Sequence, residues 1–459
     1  MKKHVLISVS LLALSGCTSL WFPYEKPVTT TPEAWREVAP ATTANPWPDR
    51  TWWHGFNAAE LNPLMEKAVV ENNDMVAAIA RLRQANAQVT INGAPLLPTL
   101  AASGDGADIH AGSKTKSASG NRFNGNLNAS YELDFWGKNS AARESAEASA
   151  AASRFDNEVV RLTILSSVAK TYFDVLASDA RLAIARENIA NAKRTLDSLR
   201  MRYEQGLING LDMAQQESEV ASRQAALPPI ELQRSKGLSA LAVLVGTLPE
   251  SLAAPNTKLN DINVPVVPVG LPSDLLIRRP DVQKAEANLI AAHANINQAR
   301  AAFFPSISLT GQAGYTSTAL SQLFKPGSLL TSYGASLAQP IFNNGELSGA
   351  LELTKGQYDE LLANYRAAIL SAFTDVEDAL ASVAQTATQE KAQLQVVASA
   401  RKAYQLSQQQ FDGGLVDITS VLNTQRTLFN ANDALVQVKL AHLQAIAGLY
   451  TSLGGGWKK

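Results

Sequence analysis

Between residues 123 and 133 the chain alternates without a slip. Phe123, Gly125, Leu127, Ala129, Tyr131 and Leu133 are apolar or glycine, and Asn124, Asn126, Asn128, Ser130 and Glu132 are polar. The same period of two returns at 306–315, with Ile307, Leu309, Ala313 and Tyr315 set against Ser306, Ser308, Thr310 and Gln312. Such alternation predicts strands with one dry and one wet face. Each is long enough to cross a bilayer when tilted. Weaker alternation over 98–108 and 332–342 predicts their partners. A soluble sheet with one face on a core would show the same period. Two features favour a membrane barrel: aromatic residues gather near the strand ends (Phe123, Phe135, Trp136, Phe303, Phe304, Phe342), and the polar faces are rich in Asn, Ser and Thr.

The pattern then changes period. From 137 to 205, and again from 345 to 412, proline is absent. Phe155, Val159, Leu162, Ser166, Ala169, Phe173 and Leu176 step by fours and threes, the spacing of a coiled-coil seam. Each stretch predicts one very long helix. Shorter helices are predicted at 60–94, 211–246, 273–303 and 416–453. In each half the two shorter ones sum to about the ~70 residues of the long one, so a long helix is expected beside two stacked end to end. Pro228-Pro229 should break the 211–246 segment locally.

Most of this order occurs twice. Asp74, Ala78, Leu82 and Pro98 match Asp281, Ala285, Leu289 and Pro305 at one offset, and Tyr203, Gly206 and Leu207 match Phe411, Gly414 and Leu415 one residue out of phase. A repeat this long is a duplicated structural unit. The expected organisation is a signal peptide (1–16), an extended arm (17–58), a first repeat (59–246), a Pro-rich connector (247–272), a second repeat (273–456) and a short tail (457–459). The expected fold is mainly α with a small β part.

Four strands per chain do not close a transmembrane barrel, which starts at eight. Two open edges in lipid would leave backbone groups unpaired at several kcal/mol each. Two chains give eight strands with a filled interior; three give twelve and room for a bore. The sequence therefore predicts a homotrimer with a shared 12-stranded barrel over a long α-helical barrel.

Charge and composition narrow the function. With 40 basic and 41 acidic residues the net charge is −1, and no basic stripe suggests nucleic acid. Five histidines (4, 54, 110, 293, 442) form no paired-ligand spacing, and neither a GxSxG elbow nor a GKS/GKT loop occurs. No enzyme, cofactor or metal site is expected. Lys2 and Lys3 followed by the apolar run Val5–Leu14 read as a secretory signal. No apolar run long enough for a transmembrane helix follows it.

The signal ends in Leu14-Ser15-Gly16-Cys17, which resembles a bacterial lipobox; Cys17 is the only cysteine. To this are added Trp52-Trp53, the run Leu275-Leu276-Ile277-Arg278-Arg279-Pro280-Asp281-Val282, the run Ala301-Ala302-Phe303-Phe304-Pro305-Ser306-Ile307, the tip Tyr203-Glu204-Gln205-Gly206-Leu207, and the terminal Leu453-Gly454-Gly455-Gly456-Trp457. Together these resemble the lipoprotein branch of the TolC-like outer membrane factors, the NodT-type efflux lipoproteins, over nearly the whole mature chain. The resemblance implies a passive exit duct in the outer membrane of a Gram-negative bacterium. It implies a periplasmic adaptor and an inner membrane pump, most often of the resistance–nodulation–division type, and Cys17 carrying S-diacylglycerol and N-palmitoyl groups. Thr18, in place of Asp, fits outer membrane sorting.

The resemblance also implies that Tyr203, Gly206, Leu207, Phe411, Gly414 and Leu415 meet the adaptor at two helix tips, 206–210 and 413–417. Gly206, Gly210, Gly413 and Gly414 are expected to supply left-handed turn conformations. Asp412 and Asp417 are candidates for an acidic gate ring, although Asp417 reads equally as a helix cap. Leu422-Asn423 stands where many relatives have Leu-Asp. Asn124, Asn126, Asn128, Ser306, Ser308 and Thr310 are expected to line the lumen. Two other readings remain open at this stage: a type I secretion duct for proteins, and a periplasmic spacer lipoprotein without a pore.

Overall fold

The computed structural model describes residues 22–36, 47–111, 118–270 and 272–457. The signal peptide and Cys17 lie outside the described residues. In chain order the elements are α1 (Leu61–Glu71), α2 (Asn73–Gly93), β1 (Thr99–Ala111), β2 (Ala118–Leu133), α3 (Lys138–Glu204), α4 (Gly210–Ala225), α5 (Leu227–Leu244), α6 (Pro272–Arg278), α7 (Pro280–Ala301), β3 (Ser306–Ser317), β4 (Leu329–Ala338), α8 (Glu346–Asp412) and α9 (Ile418–Ser452). The fold is mainly α with one small sheet, and α3 and α8 are each single helices of 67 residues.

Three predicted helices are divided. The 60–94 segment breaks at Asn72, 273–303 breaks between Arg278 and Pro280, and 211–246 breaks at Ala226, just before Pro228-Pro229. The last break follows from the prolines, which lack an N–H and take the first turn of α5. The fourth strand lies earlier than 332–342. It ends at Ala338 because Pro340, two residues on, cannot donate to a ladder.

Two compact units emerge, each drawing on both repeats. Among the described residues the first gathers 22–29, 81–111, 118–154 and 284–367. It holds the sheet, whose order is β1-β2-β3-β4 with every neighbour antiparallel. At its base Trp136 stacks on Phe304 at 5.1 Å and donates to the Pro305 carbonyl at 2.6 Å. Asp134 caps α3 by accepting from the backbone N–H groups of Asn139 (2.9 Å) and Ser140 (2.7 Å). The N-terminal arm runs along α7. Phe22 lies under the Arg300 guanidinium at 4.3 Å, and Lys26 pairs with Glu286 at 2.6 Å.

Among the described residues the second unit gathers 30–36, 47–80, 155–270, 272–283 and 368–457. Its core sets Trp52, Trp53, Phe56, Leu61 and Met65 against α3 and against Leu443, Ile446, Ala447 and Tyr450 of α9. On α3 the burial is wider than one seam. Leu165, Val168, Tyr172 and Val175 are as buried as Ala169, Phe173 and Leu176, all at 1 % exposure or less, so neighbours pack on more than one side of the helix.

The duplication is visible at atomic detail here. In each repeat the break in the first helix pair sits against the glycine that ends the last helix. A Cβ on Gly246 would fall 2.3 Å from the Glu71 carbonyl oxygen. A Cβ on Gly454 would meet the Arg278 oxygen as closely. Beside each glycine the residue at the break reaches across. Asn72 donates to the Leu244 carbonyl at 2.9 Å, and Arg279 to the Ser452 carbonyl at 3.2 Å. Arg279 also binds Asp281 and Asp375 at 2.6 and 2.9 Å. Arg279-Pro280-Asp281 and the terminal Leu453-Gly454-Gly455-Gly456-Trp457 are thus packing devices.

Candidate channel wall and helix tips

Directly opposed residues in an antiparallel ladder point to the same face, so the register sorts every strand residue. Asn124 opposes Asp105 and Thr316, Asn126 opposes Ser103 and Gly314, and Asn128 opposes Ala101 and Gln312. Thr310 opposes Ser130 and Gly334, Ser308 opposes Glu132 and Ser336, and Ser306 opposes Ala338. The six residues expected to line a lumen therefore lie on one face of the sheet. Side chains tie it across strands: Asn124 donates to Asp105 at 2.9 Å, Asn128 to Ser103 at 2.9 Å, and Thr316 to Asn124 at 2.7 Å.

Three charges stand on this face: Asp105, Arg122 and Glu132. The sequence pattern does not mark Asp105, because Ala101 and Ala107 interrupt the polar rhythm of its strand and hide its phase.

The opposite face carries Leu100, Leu127, Tyr131, Leu133, Ile307, Leu309, Tyr315, Tyr333 and Leu337. Apart from Tyr315, which packs edge-on against Phe324 at 5.5 Å, much of it is exposed within the chain. Leu100 is 73 % exposed, Leu127 51 % and Tyr333 96 %. A soluble sheet packed on a core would bury these side chains, so that reading of the alternation is set aside. The two edge strands, β1 and β4, each keep one side of the backbone unpaired within the sheet.

The helix tips are built twice on one plan. After α3, the N–H groups of Gly206 and Leu207 bond to the carbonyls of Tyr203 (2.9 Å) and Arg202 (2.9 Å); after α8, those of Gly414 and Leu415 bond to Phe411 (3.0 Å) and Gln410 (2.8 Å). Both are Schellman caps, which require a left-handed residue at the turn; Gly206 and Gly414 each have φ of +71°. Gly210 and Gly413, expected to do the same, are not in that conformation. Gly210 is the first residue of α4 and Gly413 continues the end of α8.

The next helices start with matching caps, Asn209 accepting from Asp212 N–H and Asp417 from Ser420 N–H, both at 3.0 Å. Asp417 also accepts from the Ser420 hydroxyl at 2.8 Å. These bonds hold its carboxyl below the usual carboxylate range. Asp417 thus acts as a cap in this chain. Asp412 instead meets Arg202 at 3.3 Å, and that guanidinium lies 4.7 Å over the Phe411 ring. Arg202 therefore joins the tip of the first repeat to that of the second. Behind it Leu199, Ile418 and Val421 are buried with Phe411 and Tyr404 packed on them. Leu207 and Leu415 project into solvent at 68 % and 78 % exposure, and Tyr203 is half exposed.

Among the described residues no group of three metal-ligating side chains converges, and no helix is long and apolar enough to cross a membrane.

The family model described as outer membrane efflux protein matches residues 64–247 and 271–455, one span for each repeat. The chain is 40 % identical over 467 aligned residues to the pyoverdine export outer membrane protein OpmQ of Pseudomonas aeruginosa, covering 100 % of this chain and 98 % of the relative. It is 31 % identical to the cation efflux system protein CusC of Escherichia coli, over 98 % of this chain and 97 % of the relative. Among solved structures it is similar to the Campylobacter jejuni CmeC outer membrane channel, with a TM-score of 0.90 and 26 % identity over 96 % of this chain and 95 % of that one.

Proposed function

The chain belongs to the outer membrane efflux protein family, and from that premise we propose that three copies close one passive exit duct, each supplying four strands to a barrel of twelve. The protein is an outer membrane efflux channel of a Gram-negative bacterium and is not an enzyme. The observation that carries the trimer is the sheet β1–β4, which has a largely exposed apolar face, a polar face and two open edges. Lipid can take the apolar face, but it satisfies no backbone group along an edge. Only further copies do that. Twelve strands also leave a bore, which eight would fill with side chains.

Asn124, Asn126, Asn128, Ser306, Ser308 and Thr310 line that bore, with Leu100, Leu127 and Tyr333 outward. Lipidated Cys17 tethers each copy to the same membrane. The tips around Tyr203, Gly206, Leu207, Phe411, Gly414 and Leu415 receive a periplasmic adaptor. Supporting this, Leu207 and Leu415 are exposed apolar knobs held on rigid caps, as a docking surface requires. Asp412 places negative charge at the same end, whereas the capping bonds of Asp417 argue against its serving in a gate ring. An inner membrane pump of the resistance–nodulation–division type delivers the cargo. One relative exports pyoverdine and another belongs to a cation efflux system, so one wall architecture serves unlike solutes.

Native mass spectrometry in detergent and conductance in planar bilayers test the reading together. A trimer with stable single-channel steps is expected; a persistent monomer without conductance refutes it. Crosslinking in native cells then identifies the engine. Recovery of an ABC exporter in place of the expected pump would move the cargo to proteins.

A further inference from the structure

The duplication carries a second consequence, at the seam between copies. It rests on the shared-barrel reading above. Thr99, which opens β1 opposite Ser130, corresponds to Ser306, which opens β3 opposite Ala338. First strands are therefore related by 207 residues and second strands by 208. The second offset is confirmed just beyond, where Gly137 and Gly345 both take positive φ (74° and 86°) immediately before the long helices. Within the chain, β2 of the first repeat pairs with β3 of the second, Asn128 opposing Gln312. Applying the two offsets to that pair turns it into β4 of one copy against β1 of the next.

We infer that the barrel closes with Ser336 of one copy opposite Asp105 of its neighbour, and with Ala338 and Gly334 opposite Ser103 and Ala107. Three features are compatible with this register, and the second excludes a one-residue slip. β4 runs opposite to β1 in the alternation of the sheet, so the new pair is antiparallel like every other. Ser336, Ala338 and Gly334 lie on the polar face, as do Asp105, Ser103 and Ala107, so the wet face continues across the seam; a one-residue slip would reverse it. The same register sets Pro340 opposite Ala101, beyond the observed end of β4, where the missing N–H leaves no ladder bond to lose. The seam then brings Asp105 to every junction between copies, giving the bore one carboxylate per copy at one level.

The test uses paired cysteines in full-length protein in outer membranes, joined by copper-phenanthroline oxidation or a short bis-methanethiosulfonate. Opposed residues have Cβ atoms about 4.5–5.5 Å apart, against about 7–8 Å for the diagonal neighbours. S336C with D105C should yield covalent trimer as the main product, several-fold above the slipped pairs S336C with S103C and S336C with A107C. A338C with S103C should behave like the first pair and guards against one variant failing to assemble. A slipped pair that links best, or no linkage from any pair while the unmodified protein is trimeric, overturns the register. A protein that is not trimeric before substitution overturns the assembly reading instead.

Discussion

Four glycines end helices in the same left-handed cap, yet their surroundings differ, and this separates backbone strain from close packing. Gly206 and Gly246 have φ of +71° and +74°. A Cβ on Gly206 meets nothing within 4 Å, while one on Gly246 would lie 2.3 Å from the Glu71 carbonyl oxygen. Ala at either position bears the left-handed cost of about 1–2 kcal/mol. At Gly246 the oxygen must also retreat by roughly 1 Å to reach ordinary contact, adding overpacking of about 1–3 kcal/mol. That shift strains the two cap bonds, Gly246 N–H to Val243 and Thr247 N–H to Ala242, each worth about 1 kcal/mol net. Gly246→Ala should therefore cost roughly 3 kcal/mol more than Gly206→Ala, on the order of a hundredfold in the lifetime of the folded form. Gly454→Ala should match Gly246→Ala, and Gly414→Ala should match Gly206→Ala. The assay is the rate at which detergent-solubilised protein loses its heat-modifiable gel mobility at one fixed temperature. Four equal rates, or a faster loss at Gly206, would refute the claim that these junctions hold the repeats by close approach.

The two sheet faces should respond oppositely to charge. Leu127→Arg should cost about 2–4 kcal/mol of insertion near the bilayer centre and deplete outer membrane protein, whereas Asn128→Arg should assemble normally and lower cation conductance. At the tips, Asp417→Asn keeps an acceptor for Ser420 and should leave conductance and amide protection of Ser420 unchanged, while Asp417→Ala should lose that protection; a conductance change in the Asn variant would return Asp417 to the gate. Glu60 accepts from Asn256 N–H and from the N–H and hydroxyl of Thr257. Burial pushes its carboxyl up, but these bonds prevail and hold it below its ordinary value. A depressed folded value means the anchor is fully present above the ordinary glutamate range and lost as pH falls through the depressed one. Hydrogen exchange at Thr257 should accelerate over that acid window in the wild type, and Glu60→Gln should flatten the profile.

The long-range order of this fold was legible because it is periodic. Strict alternation gave β2 and β3 within a few residues, and the absence of proline gave α3 and α8. What escaped was decided by single contacts. Asn72 is not a helix breaker by composition; it ends α1 because its side chain caps Asp74 and Met75 and reaches the Leu244 carbonyl. Asp105 was missed because alanines on both sides of it mask the phase of β1. Glycine permits the left-handed conformation at Gly210 and Gly413 as readily as at Gly206 and Gly414, and only the hydrogen bonds of the caps show which glycine in each turn adopts it. Arg202 carries no motif, and its link to Phe411 and Asp412 appears only once two segments 210 residues apart are brought together.

The open-edged sheet also governs the order of events in the cell. A lone chain in aqueous transit exposes a leucine- and tyrosine-bearing face together with two strand edges, the combination that templates aggregation. In the proposed barrel, burial of that face in lipid and pairing of those edges with sister copies are separate events, and neither alone completes the structure. Assembly yield should then climb steeply with the local density of newly delivered chains and fall off when they arrive sparsely. If three copies share one barrel as proposed, holding them near one another on the membrane surface sets the tempo, and the proposed lipid anchor at Cys17 would confine that search to two dimensions.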